Sequence, residues 1–442
     1  MDKREFARRR QRLMEQMEGG IAILPGGVEV VRNRDVAYPF RQDSDFYYLS
    51  GFPEPEAVMV LIPERKAFIL FCRERDPEME TWHGRRAGTE GARTLYQADE
   101  AYPIAQIDEV LPALLENQSH IYYSLGHRPE FDERLMGWLN RVRGRVRAGV
   151  RAPHTFVSLD PLIHGMRLIK SSQEIKAMKK AAAISIDAHC QAMKACQPGM
   201  YEYQIEALML QRFTHQGSRS PAYPSIVAGG ENACILHYTE NSALLKEGDL
   251  LLIDAGAEYD MYASDITRTF PVNGRYTPAQ RQIYDIVLAA QKAAIDQVRP
   301  GNTWNDPHRA AVEVLTEGLL SLGLLEGRLS ELIEKEAYRR FYMHRTGHWL
   351  GMDVHDVGDY KEDGGWKTLE PGMVMTVEPG LYFPKAADIP RRFWNIGVRI
   401  EDDVLVTREG HEILTEALPK EAEAVEALMM GDLTLSMVED GG

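Results

Sequence analysis

The stretch Leu251-Leu252-Ile253-Asp254-Ala255-Gly256, running on through Tyr259-Asp260 to Ala263-Ser264-Asp265-Ile266-Thr267-Arg268, decides how this chain is built. Its first half is an apolar run that ends in a carboxylate and a glycine, the pattern of a buried strand entering a site. Its second half alternates polar and apolar residues, as a returning strand does. With Tyr259-Asp260 as a two-residue turn, Asp254 is expected directly opposite Asp265. Opposed residues of an antiparallel pair share a face with Cα atoms roughly 4.5–5.5 Å apart. Two carboxylates that close repel one another, so an apolar hairpin carrying both calls for a cation between them. Carboxylate oxygens suit divalent metals such as Mn²⁺. On this hairpin alone the alternative, a pair of solvated or helix-capping aspartates, stays open.

An internal repeat extends the pattern. Glu247-Gly248 leads six residues on to Asp254-Ala255-Gly256, and Glu370-Pro371-Gly372 leads six residues on to Glu378-Pro379-Gly380. Each apolar run ends in an acid followed two residues later by glycine, and each is preceded by a helix, a Pro-Gly and a second helix. Two similar halves that each deliver a carboxylate imply a pseudo-two-fold domain with a site between them. In Ile396-Gly397-Val398-Arg399-Ile400-Glu401 the period of two puts Arg399 and Glu401 on one face. Asp254, Asp265, Glu378 and Glu401 then form a carboxylate cluster of the size that holds two metals. An imidazole is the expected remaining ligand, with candidates in Met343-His344-Arg345-Thr346-Gly347-His348, in Asp353-Val354-His355-Asp356 and at His237.

The chain has 442 residues, 44% hydrophobic and 26% charged, which is soluble globular composition with room for two domains. A net charge of −15 disfavours nucleic acid and anionic membrane as partners. Arg8-Arg9-Arg10 is expected on a solvated helix face. Arg141 to Arg147 alternates Arg with small or apolar residues and reads as a strand with a basic face, solvated or in a subunit contact. Cys72, Cys190, Cys196 and Cys234 have no C-x-x-C spacing and are expected as buried thiols in a reducing compartment. With no signal-peptide core and no run long enough to span a bilayer, the expected location is the cytoplasm.

Along the chain, residues 4–18, 107–115 and 130–139 read as helices. Runs 21–24, 46–49, 58–62, 68–71 and 121–123 read as strands, giving a smaller α/β domain over residues 1–165. Residues 156–172 read as a linker into a long helix. Helices are expected at 174–195, 202–215, 277–298 (opened by the capping box Thr277-Pro278-Ala279-Gln280) and 306–319. The second domain spans 172–430, and the tail from Gly431 is expected to be disordered.

The motif set Asp-Ala-Gly…Ser-Asp-Ile-Thr-Arg-Thr, His-Trp-Leu-Gly…Asp-Val-His-Asp-Val-Gly, Thr-Val-Glu-Pro-Gly-Leu-Tyr and Val-Arg-Ile-Glu-Asp-Asp resembles that of the pita-bread metallopeptidases. Phe40 to Phe46, Trp82-His83-Gly84-Arg85-Arg86 and Asn232 to Asn241 extend the resemblance to the aminopeptidase P family over nearly the whole chain. Ser264 and Gly347 stand where Gly and Ser are expected, both small. The resemblance implies an α/β (α+β) architecture with a pita-bread catalytic domain behind the amino-terminal one. It implies that Asp254 binds one metal, His348 and Glu378 the other, and that Asp265 and Glu401 bridge two Mn²⁺ ions. His237, His344 and His355 would flank the scissile bond, Arg399 would orient carboxylates, Tyr382 would lie beside the site, and Trp82 would reach a neighbouring subunit in a homotetramer, a dimer of dimers. The implied activity removes the first residue of peptides with proline in second position, through a metal-bridging hydroxide, with Glu378 moving protons. Competing readings are a prolidase confined to Xaa-Pro dipeptides, promiscuous organophosphate hydrolysis, and a metal-free binding module.

Overall fold

The computed structural model describes residues 1–431 and resolves two compact units, Met1–Met166 and the chain from Arg167 onward; the tail expected to be disordered lies, past Gly431, outside the described residues. In the first unit a six-stranded mixed sheet has the spatial order Glu100–Pro103, Ala67–Cys72, Val58–Ile62, Ile21–Pro25, His120–Tyr122, Thr155–Val157. Helices Ile107–Leu115 and Pro129–Arg143 cover it, burying Ile107, Leu111, Leu115, Leu135, Trp138 and Leu139 at helical spacing against Ile21, Val60 and Ile69.

Four expectations for this unit are corrected. Phe46–Leu49 is not a strand but part of helix Ser44–Ser50, because Asp43 caps it by accepting from the Phe46 N–H and Gly51 at φ 63° ends it. A Cβ on Gly51 would also lie 2.7 Å from the Phe6 ring. Arg8-Arg9-Arg10 is not a solvated face: Arg9 and Arg10 are buried and donate to the Tyr48 and Leu49 carbonyls in the last turn of that helix. Arg141 to Arg147 is no strand either; it is the last turn of helix Pro129–Arg143 followed by the turn Val146–Ala148. Basic residues there complement the helix dipole. Residues 156–172 are structured, as the end of strand Thr155–Val157 and helix Asp160–Leu168.

The second unit repeats one arrangement. Helices Ser172–Ala195 and Glu202–His215 lead into strands Ile226–Gly229, Leu250–Asp254 and Thr267–Pro271, with Leu250–Asp254 central and both neighbours antiparallel. Helices Pro278–Ile295 and Asn305–Ser321 lead into strands Val374–Val377, Asp402–Val406 and His411–Ile413, beside the ribbon Gly380–Phe383 with Ile396–Arg399. Capping boxes at Ser171/Glu174 and Thr277/Gln280 start the first helix of each half. Leu251 and Ile253 pack with Ile205, Met209 and Phe213, whereas Leu252 packs with Ile226, Ala228 and Tyr238 on the opposite face. A strand covered on both faces must be apolar throughout, and this accounts for the unbroken Leu-Leu-Ile run.

The loop that carries His355 is pinned by charge. Asp356 is buried and accepts from Arg167 at 2.6 Å and Lys170 at 2.9 Å, both of them buried too. Removing one partner of such a set leaves uncompensated buried charge, which costs roughly 3–5 kcal/mol. Asp356→Ala is therefore expected to lower unfolding free energy by about that much, while Asp388→Ala, which breaks an exposed pair with Arg340, is expected to leave it nearly unchanged. Urea titrations of the two variants check the contrast.

Candidate metal centre

Asp254 ends its strand at the point where the chain leaves the apolar core. The hairpin turn is Asp260-Met261, not Tyr259-Asp260: Tyr259 pairs with Tyr262, and Asp254 with Thr267. Both turn residues have positive φ, 50° and 71°, as a two-residue turn matched to strand twist requires. The offset from the expected register is two residues, so it preserves the alternation. Asp254 and Asp265 still share a face, although they are not directly opposed. Gly256 lets the two strands close up, since a Cβ there would sit 1.7 Å from the Ser264 carbonyl oxygen.

The Tyr223 hydroxyl joins the two acids, 2.6 Å from Asp254 Oδ1 and 2.5 Å from Asp265 Oδ1. It has one proton to donate and faces two acceptors, so the second contact needs either a protonated carboxyl or a cation. Asp265 Oδ2 lies 3.4 Å from His348 Nε2, which is 3.5 Å from Glu378 Oε1. The other ring nitrogen, His348 Nδ1, is 2.9 Å from the Trp349 carbonyl oxygen. An Nδ1–H donated to that carbonyl turns the Nε2 lone pair toward the acids, the arrangement of a metal-ligating histidine. Glu401 accepts from the Thr267 hydroxyl at 2.5 Å. Asp265, His348 and Glu401 each bring one donor atom within 4.8 Å of the others.

Arg399 donates to Asp254 Oδ2 at 2.7 Å and to the Tyr382 hydroxyl at 3.0 Å. Tyr382 is fully buried behind it and lies 2.8 Å from His344 Nε2. With Nδ1 2.7 Å from the Arg345 carbonyl, both His344 nitrogens are engaged. His237 and His355, both exposed, line the mouth of a cavity of about 210 Å³ together with Asp254, His348, Glu378 and Arg399. The His355 ring stands edge-on to His348 at 4.3 Å. Trp82 belongs to the amino-terminal unit, where it is 77% exposed.

Burial dominates the electrostatics. It raises Asp254, pushes Glu378 up to about 7 and drives Glu401 well above the carboxylate range, with neighbouring carboxylates adding to each. Against the pull of burial, the His348 hydrogen bond and charge keep Asp265 low, and the same contact with Glu378 beside it lifts His348 to about 9. Burial holds His344 down at about 4 and, with the His348 charge, lowers His355. An oxygen-rich buried set with one imidazole, unable to be fully charged by itself, suits two divalent ions.

Three partners of the site were not singled out in the sequence: Tyr223, Asp403, whose carboxylate accepts from the Asp265 N–H, and Thr376, which donates to Glu378. Asp403 sits inside the Glu-Asp-Asp run, two residues past Glu401, and that spacing of two marks it; nothing local marks Tyr223. Of the cysteines, Cys72, Cys190 and Cys196 are buried thiols, whereas Cys234 is only half-buried; all four are free.

Residues 176–408 match the model of metallopeptidase family M24, and residues 6–122 that of the aminopeptidase P amino-terminal domain. The chain is 45% identical to the Xaa-Pro aminopeptidase of Escherichia coli, across 97% of this chain and 98% of that one. It is 47% identical to the Xaa-Pro aminopeptidase of Haemophilus influenzae over the same shares. Among solved structures, aminopeptidase PepP of Pseudomonas aeruginosa superposes with TM-score 0.97 at 56% identity, covering 98% of this chain and 99% of that one.

Proton linkage makes the metal set testable. The Glu378 carboxyl holds its proton more tightly folded (about 7) than at its ordinary 4.5, so its contribution is present below 4.5 and lost as pH rises through 7. The His348 contribution, raised from 6.5 to about 9, is likewise lost as pH climbs through 9. The melting temperature of metal-stripped protein is thus expected to fall from pH 5 to pH 9. Added Mn²⁺ is expected to raise it most at the alkaline end, where the acids are ionised. A Mn²⁺-independent, flat profile contradicts this assignment.

Proposed function

The chain belongs to metallopeptidase family M24 and carries the amino-terminal domain of aminopeptidase P, and on that premise we propose how its residues perform exopeptidase chemistry. It is a metallo-exopeptidase of pita-bread fold that hydrolyses the bond between the first residue of a peptide and a following proline. Relatives that share nearly its full length bear the name Xaa-Pro aminopeptidase, which favours peptide trimming over dipeptide-only cleavage. The observation that carries the site assignment is the convergence of four buried or half-buried carboxylates and one oriented imidazole beneath a single cavity.

In this reading Asp254 would help to hold one ion and His348 and Glu378 the other, with Asp265 and Glu401 serving the pair. Bound there, two divalent ions supply a nucleophile near neutral pH and polarise the scissile carbonyl; Mn²⁺ suits the oxygen-dominated set. Arg399 fixes the orientation of Asp254 and Thr267 that of Glu401. Glu378 takes a proton from water and returns it to the departing prolyl nitrogen. That nitrogen belongs to a tertiary amide and has no N–H, so it must be protonated to leave. His237 and His355 at the mouth offer donors to the developing oxyanion. His344 is a positioning residue that acts through Tyr382 on Arg399. The substrate amine is held by the acids. Trp82 and the exposed Val28, Val30, Val31, Val36 and Tyr38 support self-assembly into the homotetramer. The free cysteines support a reducing cytoplasm; no helix among the described residues is long and apolar enough to cross a membrane.

Incubating metal-stripped protein with Arg-Pro-Pro tripeptide is expected to release only arginine, and only with Mn²⁺ added. Glu378→Gln is expected to lower kcat by roughly 10²–10⁴ with KM little changed, the scale of losing a general acid–base group. Cleavage confined to Xaa-Pro dipeptides sinks the aminopeptidase reading, and unaltered kcat in Glu378→Gln sinks the proton role.

A further inference from the structure

Two openings meet at one side chain. Arg345 lines the metal cavity, and it also lines a separate cleft of about 810 Å³ whose wall includes Asn305, His308, Arg309 and Trp366. Its guanidinium donates to Asn305 Oδ1 at 2.5 Å and lies over the Trp366 ring, 5.0 Å from the centroid. These contacts hold the planar fork in place without neutralising it. Among the described residues Arg345 has no ion pair, whereas Arg399, the other guanidinium in the cavity wall, is bound to Asp254. Burial depresses its pKa and no carboxylate lifts it, so its charge is uncompensated. The acids of the neighbouring cleft are partly taken: Asp306 faces Arg309 at 3.4 Å and Glu336 faces Arg339 at 2.8 Å, with Glu313 left on the wall. The basic spot is therefore the junction of the openings, not the far cleft.

An exopeptidase that seats the substrate's amine among buried acids must let the rest of the peptide leave through the mouth. The group an unblocked short peptide carries at its other end is a carboxylate, which a chain of net charge −15 disfavours on average. A preoriented, unpaired guanidinium is the side chain best shaped to bind it, by two parallel N–H donors. We propose that Arg345 is a specificity-determining residue that binds the carboxylate of the residue following proline, so that free-acid tripeptides are favoured over amidated or longer peptides. The proposal rests on the aminopeptidase reading above.

The test compares Ala-Pro-Ala as free acid and as amide, and Ala-Pro-Ala-Ala-Ala, with Mn²⁺-loaded wild type, Arg345→Gln and Arg345→Lys. Wild type is expected to show a KM about three- to tenfold lower for the acid tripeptide than for its amide, the scale of one charged hydrogen bond near solvent, with similar kcat. Arg345→Gln is expected to erase that difference by raising only the acid's KM, and Arg345→Lys to restore part of it. Ala-Pro-Asp amide, which carries its carboxylate on a side chain, separates α-carboxylate from acidic-residue recognition: a KM equal to that of the plain amide assigns the terminus, and one as low as that of the free acid overturns the preference for a free terminus. Equal KM for acid and amide in wild type overturns the proposal, as does an equal rise for both in Arg345→Gln. Failure to trim any of these peptides overturns the aminopeptidase reading itself and is distinguishable from both results.

Discussion

The catalytic unit depends on one buried seam. Arg268, in the returning strand of the first half, is fully buried and donates to Asp402 at 2.7 Å and to the carbonyls of Glu401 and Leu418. Lys420 and Gln291 complete the Asp402 carboxylate, and its partner charges hold it down to about 2. Either charge alone at that depth would be prohibitively costly, so the pair fixes the register of the two halves rather than merely adding attraction. Around it run the Glu401 N–H to the Thr267 carbonyl, the Thr269 hydroxyl to the Arg399 carbonyl, and the Asp265 N–H to Asp403. The residues that flank the seam are the same ones that present donors to the cavity.

The seam explains how so much negative charge is tolerated. Asp254, Asp265, Glu378, Glu401 and Asp403 crowd together, and among the described residues only Arg399 and His348 pair with them. Burial lifts most of these acids, and the neighbouring carboxylates raise each of them further. Such an arrangement is poor for stability taken alone; the cores around Leu251 and Val287 carry it. Local rules broken at a site and compensated elsewhere are what a functional cavity looks like.

Much of this was legible in the residues. The repeat ending at Asp254 and Glu378 announced the two halves, because strands buried on both faces cannot hide an acid at their ends. Parity protected the pairing of Asp254 with Asp265 on one face even though the turn lies one residue further on than Tyr259-Asp260 suggests. The basic runs misled for a definite reason. Arg9 and Arg10 read as surface by charge, but their use is set by carbonyls nearly forty residues away, which no local pattern contains. Tyr223 escaped for the same reason, being brought to the acids by the path of the chain before Ile226. Phe46–Leu49 reads as a strand by its aromatic residues, whereas the Asp43 cap starts a helix there.

The donor set is split between the repeats: Asp254 and Asp265 come from the first, His348, Glu378 and Glu401 from the second. Neither half presents the full set, so cutting the chain between the repeats would leave two carboxylates on one piece and two carboxylates with the histidine on the other.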